Sequence, residues 1–230
     1  MSMPLVSCIM PTKNRPEFVP KAIEYFGRQT YPNKELVVLD DGMGLNMKLV
    51  TERFRYRRIS PGLTLGAKRN RCVEYALGDL IAHWDDDDWY GPERLAHQVA
   101  VMTSGFDLCG LSNPLFYDLR TGRSYTYSHS SVGSYLYSAT LMYTRTHWER
   151  SSFPDLQVGA STPFVMAPGN RGLISDSAWY VGMAHDSNNS PKPFTAREFT
   201  PWGGEREMES RVGADWPFYQ SLRESMGVAA

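Results

Sequence analysis

The sequence contains no run approaching the roughly 18 apolar residues that a spanning helix requires, so no membrane span is expected. Its first ten residues, Met1 to Met10, lack the charged start and long apolar core of a secretory leader. Cysteine is scarce. Cys8, Cys72 and Cys109 form an odd set without Cys-x-x-Cys spacing, which predicts reduced core thiols in a cytoplasmic protein. A charge of one sign is also missing: 24 Lys and Arg face 25 Asp and Glu, so no nucleic acid partner is expected. There is no internal repeat, no long linker and no glycine-rich phosphate loop of the G-x-G-x-x-G or P-loop type. What remains is 230 residues of ordinary globular composition, enough for one sizeable α/β domain or two small ones.

The first half alternates apolar runs with helical patterns. Strands are predicted at 5–10, 35–39, 56–59 and 79–84. Helices are predicted at 17–28, 46–54, 65–77 and from Pro92 to about Ser104, where proline suits a first helical turn. Such alternation implies parallel strands in a covered sheet, with ligands bound beyond the strands' carboxyl ends. The loops 11–16, 40–44 and 85–91 each follow a strand, so they are expected to converge on one cleft. The second half reads differently. Residues 113–127 carry a hairpin pattern, with strands near 139–144, 172–175 and 178–183. Short helices are expected at 145–150, 160–167, 204–211 and 216–225.

Four consecutive aspartates, Asp85 to Asp88, end the apolar run that closes at Trp84. Packing four carboxylates together is repulsive, and a divalent cation relieves it because hard cations take several carboxylate oxygens. In an extended segment alternate residues share a side, so Asp85 and Asp87 are expected to face one Mn²⁺ or Mg²⁺ while Asp86 faces elsewhere, with Asp88 in reserve. His185, just after a strand candidate, is a candidate third ligand, since imidazole also ligates such metals. Pro11, Thr12, Lys13, Asn14 and Arg15 offer a hydroxyl, an amide and two cations for a nucleotide. Asp41 is placed to meet a base or ribose. The turn Gly66 to Arg71 puts Lys68, Arg69 and Arg71 at a helix start, where cations are normally disfavoured and a diphosphate would explain them. Among the tryptophans, Trp89 adjoins the acidic loop and is the candidate for sugar stacking.

In this order the pieces resemble the inverting family-2 glycosyltransferases of the GT-A fold. Val6 to Arg15 looks like that family's opening strand and nucleotide loop. Gln29 to Pro32 and Glu35 to Gly42 resemble the segment carrying its base-recognising aspartate. Lys68-Arg69-Asn70 falls on its Arg-Asn pair, and Asp85 to Asp88 on its Asp-x-Asp motif, with Asp87 the direct metal ligand. The resemblance implies an α/β GT-A (Rossmann-like) mixed sheet flanked by helices, with a small second β-hairpin region for the acceptor. It implies one domain over residues 1–230, with a nucleotide-sugar half at 1–110, an acceptor half at 111–195 and a helical tail at 196–230. The implied activity is metal-dependent transfer, with inversion, from a nucleoside diphosphate sugar, UDP-linked, to an acceptor hydroxyl on a saccharide, a lipid-linked or a small molecule. Donor contacts would come from Pro11, Thr12, Lys13, Arg15, Asp41, Lys68, Asn70, Asp85 and Asp86.

One departure stands out. Where the family places a Glu-Asp pair whose aspartate is the general base, this chain has Ala160 and Ser161. Serine is no comparable base near neutral pH, and losing a general base removes about 10²–10⁴ in rate. Asp155 is the nearest carboxylate, with Asp176 and Asp186 further off. The departure motivates an alternative, a catalytically impaired nucleotide-sugar-binding protein. A nucleotidyltransferase is the other.

Overall fold

The computed structural model describes residues 3–44, 53–129 and 135–227. Along the chain it contains β1 (Val6–Thr12), α1 (Val19–Gly27), β2 (Lys34–Asp40), β3 (Phe54–Arg58), α2 (Leu65–Tyr75), β4 (Leu80–His83), β5 (Trp89–Tyr90) and α3 (Arg94–Met102). Then follow β6 (Leu108–Leu111), β7 (Leu115–Asp118), β8 (Arg123–Tyr127), β9 (Met142–Thr144), α4 (Arg145–Arg150) and α5 (Ser161–Met166). The chain closes with β10 (Arg171–Ile174), β11 (Tyr180–Ala184), β12 (Phe199–Gly203), α6 (Glu205–Val212) and α7 (Trp216–Ser225).

A seven-stranded sheet runs in the order β10-β6-β9-β4-β1-β2-β3. β1 pairs parallel with both β2 and β4, and β2 with β3. β9 lies antiparallel between β4 and β6, so the sheet is mixed. The central strands read as continuous apolar runs because both faces are covered. Val6, Cys8 and Met10 enter one buried cluster with Phe18, Ala22 and Tyr25 of the α1 side; Ile9 enters another with Cys72 and Val73 of α2. The first cluster continues through Trp84 and Leu115 to Tyr219 of α7, joining the two halves of the chain.

The second sheet has the order β12-β8-β7-β11-β5. Its centre is the expected hairpin, β7 antiparallel to β8. The tail from 196 is not wholly helical: Phe199–Gly203 forms β12, an edge strand on β8 whose pairing shifts between Pro201 and Gly203. Proline is tolerated at such an edge because its missing N–H costs no ladder bond. The helix expected over 46–54 lies, for 46–52, outside the described residues, and Phe54 opens β3 instead. Among the described residues no helix is long and apolar enough to cross a membrane.

Candidate active site

The parallel register sets Thr12 beside Asp40 and Ile9 beside His83. The loops after β1, β2 and β4 therefore leave the sheet at one edge, where they line a cleft of about 480 Å³. Pro11, Thr12, Lys13, Arg15, Asp41, Lys68 and all four aspartates reach its wall.

At one end, Lys68 Nζ donates to Asp41 Oδ1 at 2.7 Å, with both residues buried. α2 delivers Lys68 because Thr64 caps its start, accepting from the Ala67 amide at 3.2 Å. Neighbouring Asp40 is occupied by the Tyr56 hydroxyl at 2.8 Å and by the Gly42 amide, which fixes the turn. Asn14, at φ 53°, is the one non-glycine among the described residues in the left-handed region, and its side-chain Oδ1 accepts from the Met43 amide at 2.8 Å. This ties the first two loops together.

The aspartates lie on a bend, not an extended strand, and the expected alternation fails for that reason. Asp86 and Asp87 both receive Arg15 Nη1, Asp86 at 2.9 Å. Asp86 also accepts from Thr12 Oγ1 at 2.5 Å. Asp85 instead turns towards Arg69, at 3.7 Å. Asp88 points inward to the Tyr180 hydroxyl at 2.7 Å and the Met183 amide at 3.0 Å. Burial, with the neighbouring carboxylates, raises Asp86 to about 7 and pushes Asp85 and Asp88 above the usual range. Burial also acts against the charge of Asp87, but the His185 hydrogen bond and the Arg15 guanidinium outweigh it and hold this carboxyl low.

His185 sits behind Asp87, with Nε2 at 3.1 Å from Oδ2. Phe18 stacks on its ring at 4.7 Å between centroids, and Ser187 Oγ lies 2.8 Å from Nδ1. Among the described residues no group of three or more His, Cys, Asp and Glu side chains is placed to hold a metal. The expected triad of Asp85, Asp87 and His185 is thus not assembled, because Arg69 and Arg15 draw the two carboxylates to different partners. The donor set nevertheless fits a hard cation. Two carboxylates suffice for Mg²⁺ when phosphate and water complete its shell, and Asp85 and Asp87 both line the cleft, Asp85 with its ion pair to Arg69 as long as 3.7 Å.

The far wall comes from the loop 153–160 and α5. Gly66 makes this approach possible: its amide donates to the Leu156 carbonyl at 3.0 Å, and a Cβ there would collide with the Pro154 carbonyl. Asn70, expected at the donor, is committed to this loop. It donates to the Phe153 carbonyl at 2.8 Å and accepts from Trp148 Nε1 at 2.8 Å and from the Phe153 amide at 3.0 Å. Asp155 is exposed and accepts from Thr64 Oγ1 at 2.6 Å, away from the cleft wall. Asp176 holds the Ala178 amide and exposed Asp186 meets Arg120, so neither lines the cleft. Ser161 does line it, at the start of α5, accepting from Arg69 Nη1 at 2.8 Å and lying 2.6 Å from Ser138 Oγ. Trp89 is core: it is buried and donates to Asp215 at 2.9 Å.

Two cleft residues that bond to site groups were not among the sequence candidates, Ser138 and Asn188, while Arg69, read from the sequence as part of the basic helix start, reaches the Ser161 hydroxyl. Asn188 donates to Asp87 at 3.1 Å. The stretch His185-Asp186-Ser187-Asn188 carries a dense polar signal that could have pointed to Asn188. Nothing in the run Tyr137-Ser138-Ala139 marks Ser138.

A sequence profile described as Glycosyl transferase family 2 matches residues 7–177, and the chain belongs to that family. Over 103 residues it is 35% identical to the UDP-Glc:alpha-D-GlcNAc-diphosphoundecaprenol beta-1,3-glucosyltransferase WfgD of Escherichia coli, covering 43% of this chain and 41% of WfgD. The chain therefore spans about two fifths of that relative's length. An uncharacterized glycosyltransferase of Haemophilus influenzae is 27% identical over 172 residues, covering 68% of this chain and 69% of its own. Among solved structures, S. aureus TarS 1-349 in complex with UDP-GlcNAc superposes with a TM-score of 0.65 at 16% identity, covering 97% of this chain and 74% of that one. The mannosyltransferase PcManGT of Pyrobaculum calidifontis, in complex with GDP-Man and Mn2+, gives 0.55 at 16% identity over 84% and 59%. These likenesses define the fold as GT-A.

Proposed function

We propose that the protein transfers a sugar from a nucleoside diphosphate sugar, UDP-linked, to an acceptor oxygen with inversion, using Mn²⁺ or Mg²⁺. One observation carries this reading: the loops after β1, β2 and β4, together with the start of α2, bring Thr12, Arg15, Asp41, Lys68 and the aspartates into a single cleft. Asp41 and Lys68 would hold the base end of the nucleotide. Thr12 and Arg15 fix Asp86 and Asp87, and Lys13 is exposed at the cleft wall to meet phosphate. Asp85 and Asp87 would hold the cation, with His185 and Asn188 orienting Asp87. When bound, the cation supplies positive charge to the leaving diphosphate. The inversion rests on resemblance to the inverting enzymes of the family.

We also propose that residues 1–230 act as one domain, donor half before acceptor half. The location is the cytoplasm, a reading supported by three buried thiols that burial pushes up to about 12. Family membership does not favour the alternatives of a binding-only protein or a nucleotidyltransferase. The test is calorimetric titration of UDP with and without Mn²⁺. Mn²⁺ is expected to tighten UDP binding at least tenfold, and Asp87→Ala to abolish that gain. UDP binding that ignores both the metal and the substitution sinks the metal role.

A further inference from the structure

Four cations line the cleft in buried or half-buried positions, Arg15, Lys68, Arg69 and Lys192, the last donating to the Ser190 carbonyl at 2.9 Å. Two of them have anionic partners within hydrogen-bond distance. Arg15 has Asp86 and Asp87; Lys68 has Asp41. Arg69 does not. It is 4% exposed, and its one ion pair among the described residues is Asp85, whose oxygen is 3.7 Å away. Its Nη1 is satisfied by a neutral group, Ser161 Oγ at 2.8 Å. A buried guanidinium without a hydrogen-bonded anion is a costly arrangement unless something else supplies the charge. Asp85 also serves poorly as that partner if it takes part in cation binding.

The surroundings repeat the signal. The carboxylates lining the cleft are Glu17, Asp41 and Asp85 to Asp88, all on the loops after β1, β2 and β4. The opposite wall offers hydroxyls at Tyr135, Ser138, Ser161 and Thr162. Among the described residues it presents no carboxylate to deprotonate an attacking alcohol.

We infer that Arg69, with Ser138 and Ser161, forms an anion site on the acceptor wall, and that the acceptor attacks through an oxygen already negatively charged, a phosphate or a carboxylate. This rests on the transferase reading above. A lone pair of that oxygen forms the new bond to the anomeric carbon. The bond from that carbon to the diphosphate breaks, and its electron pair leaves with the nucleoside diphosphate. No proton leaves the nucleophile, so Ala160 and Ser161 need not replace a base.

The test titrates inorganic phosphate and, in a separate arm, acetate into the free and the UDP·Mg²⁺-loaded protein by calorimetry. Arg69→Met and Ser161→Asp are the variants, the second placing a carboxylate against the guanidinium; circular dichroism checks that each is folded. Phosphate or acetate is expected to bind the native protein, and the better arm identifies the nucleophile's class. Both variants should weaken it tenfold or more while UDP affinity changes less than threefold. No binding of either anion overturns the site. An equal loss of UDP affinity in Arg69→Met assigns the guanidinium to the donor and also overturns it. Absence of UDP binding to the native protein removes the transferase reading, while the titration of free protein still decides the anion site. With a UDP-sugar that binds, UDP release should be at least tenfold faster with glycerol 3-phosphate than with glycerol if the phosphate arm wins, or with glycerate if acetate wins. Equal rates, or no release from any of them, overturn the charged nucleophile.

Discussion

Lys68→Met isolates the buried ion pair with Asp41 in the cleft. Lys68 and Asp41 are 6% and 1% exposed, and 2.7 Å separates Nζ from Oδ1. At that distance and an effective dielectric of about 20, the attraction is about 6 kcal/mol. Desolvation of both ions offsets much of it, so the pair itself is a weak stabiliser. The single substitution is different, because it leaves the Asp41 carboxylate buried without its cation. Removing one partner of a buried pair costs about 3–5 kcal/mol. For a chain of this length that lowers Tm by roughly 10 °C. Lys68→Met with Asp41→Asn removes both charges and is expected to recover to within about 1 kcal/mol of the native protein, since a pair exchanged for neutral groups is often close to neutral. Urea unfolding of the four proteins in the cycle gives the coupling energy directly. A single Lys68→Met variant within about 1 kcal/mol of native refutes the reasoning. It would mean that Asp41 finds water or another cation once Lys68 is gone.

Gly66→Ala drives a Cβ into the Pro154 carbonyl, a backbone atom that cannot swing aside. The loss should be about 1–3 kcal/mol in urea unfolding, although alanine is the better helix former. Asn70→Ala removes three hydrogen bonds to Trp148 and Phe153 and should cost about 2–4 kcal/mol. UDP affinity measured calorimetrically should stay within threefold, in contrast to a donor ligand. Asp215→Asn weakens the bonds from Arg28, Lys21 and Trp89, by about 2 kcal/mol at pH 7. Burial opposes the charge of Asp215, but these partners outweigh it and hold its carboxyl below the usual 3.8. Its contribution is therefore fully present above pH 3.8 and is lost as pH falls through the lowered value. Native and variant stability curves should converge below about pH 4; a gap that stays constant to pH 2 refutes the assignment.

How much of this was legible depended on whether a feature is written locally. β1, β2, β4 and the helices between them announce themselves as apolar runs with distinct periods, and parallel pairing follows from their alternation. β5, β6 and β12 do not. Trp89–Tyr90 is two residues long, Leu108–Leu111 contains a glycine, and Phe199–Gly203 contains a proline. Each is a strand only because a partner edge is present: β5 and β12 pair with β11 and β8, and β6 with β9 and β10. That tertiary context is invisible to a window.

The site divides the same way. That Asp85 to Asp88 face the same cleft as Thr12, Arg15 and Asp41 followed from strand ends, whereas Lys68 reaches it from the start of α2. Which charge meets which did not. Periodicity assumes an extended backbone, whereas the bend sends Asp86 and Asp87 to Arg15, Asp85 towards Arg69 and Asp88 to Tyr180. Likewise Lys68, Arg69 and Asn70 are consecutive, yet on a helix they point in three directions. One closes on Asp41, one on Ser161, and one anchors the loop at Phe153. Four acids in a row make anions look like the surplus to be neutralised. Arg15 lies against two of them, so among the described residues the buried cleft cation left without a close anionic partner is Arg69, and the ligands proposed for this cleft include an anion as well as a metal.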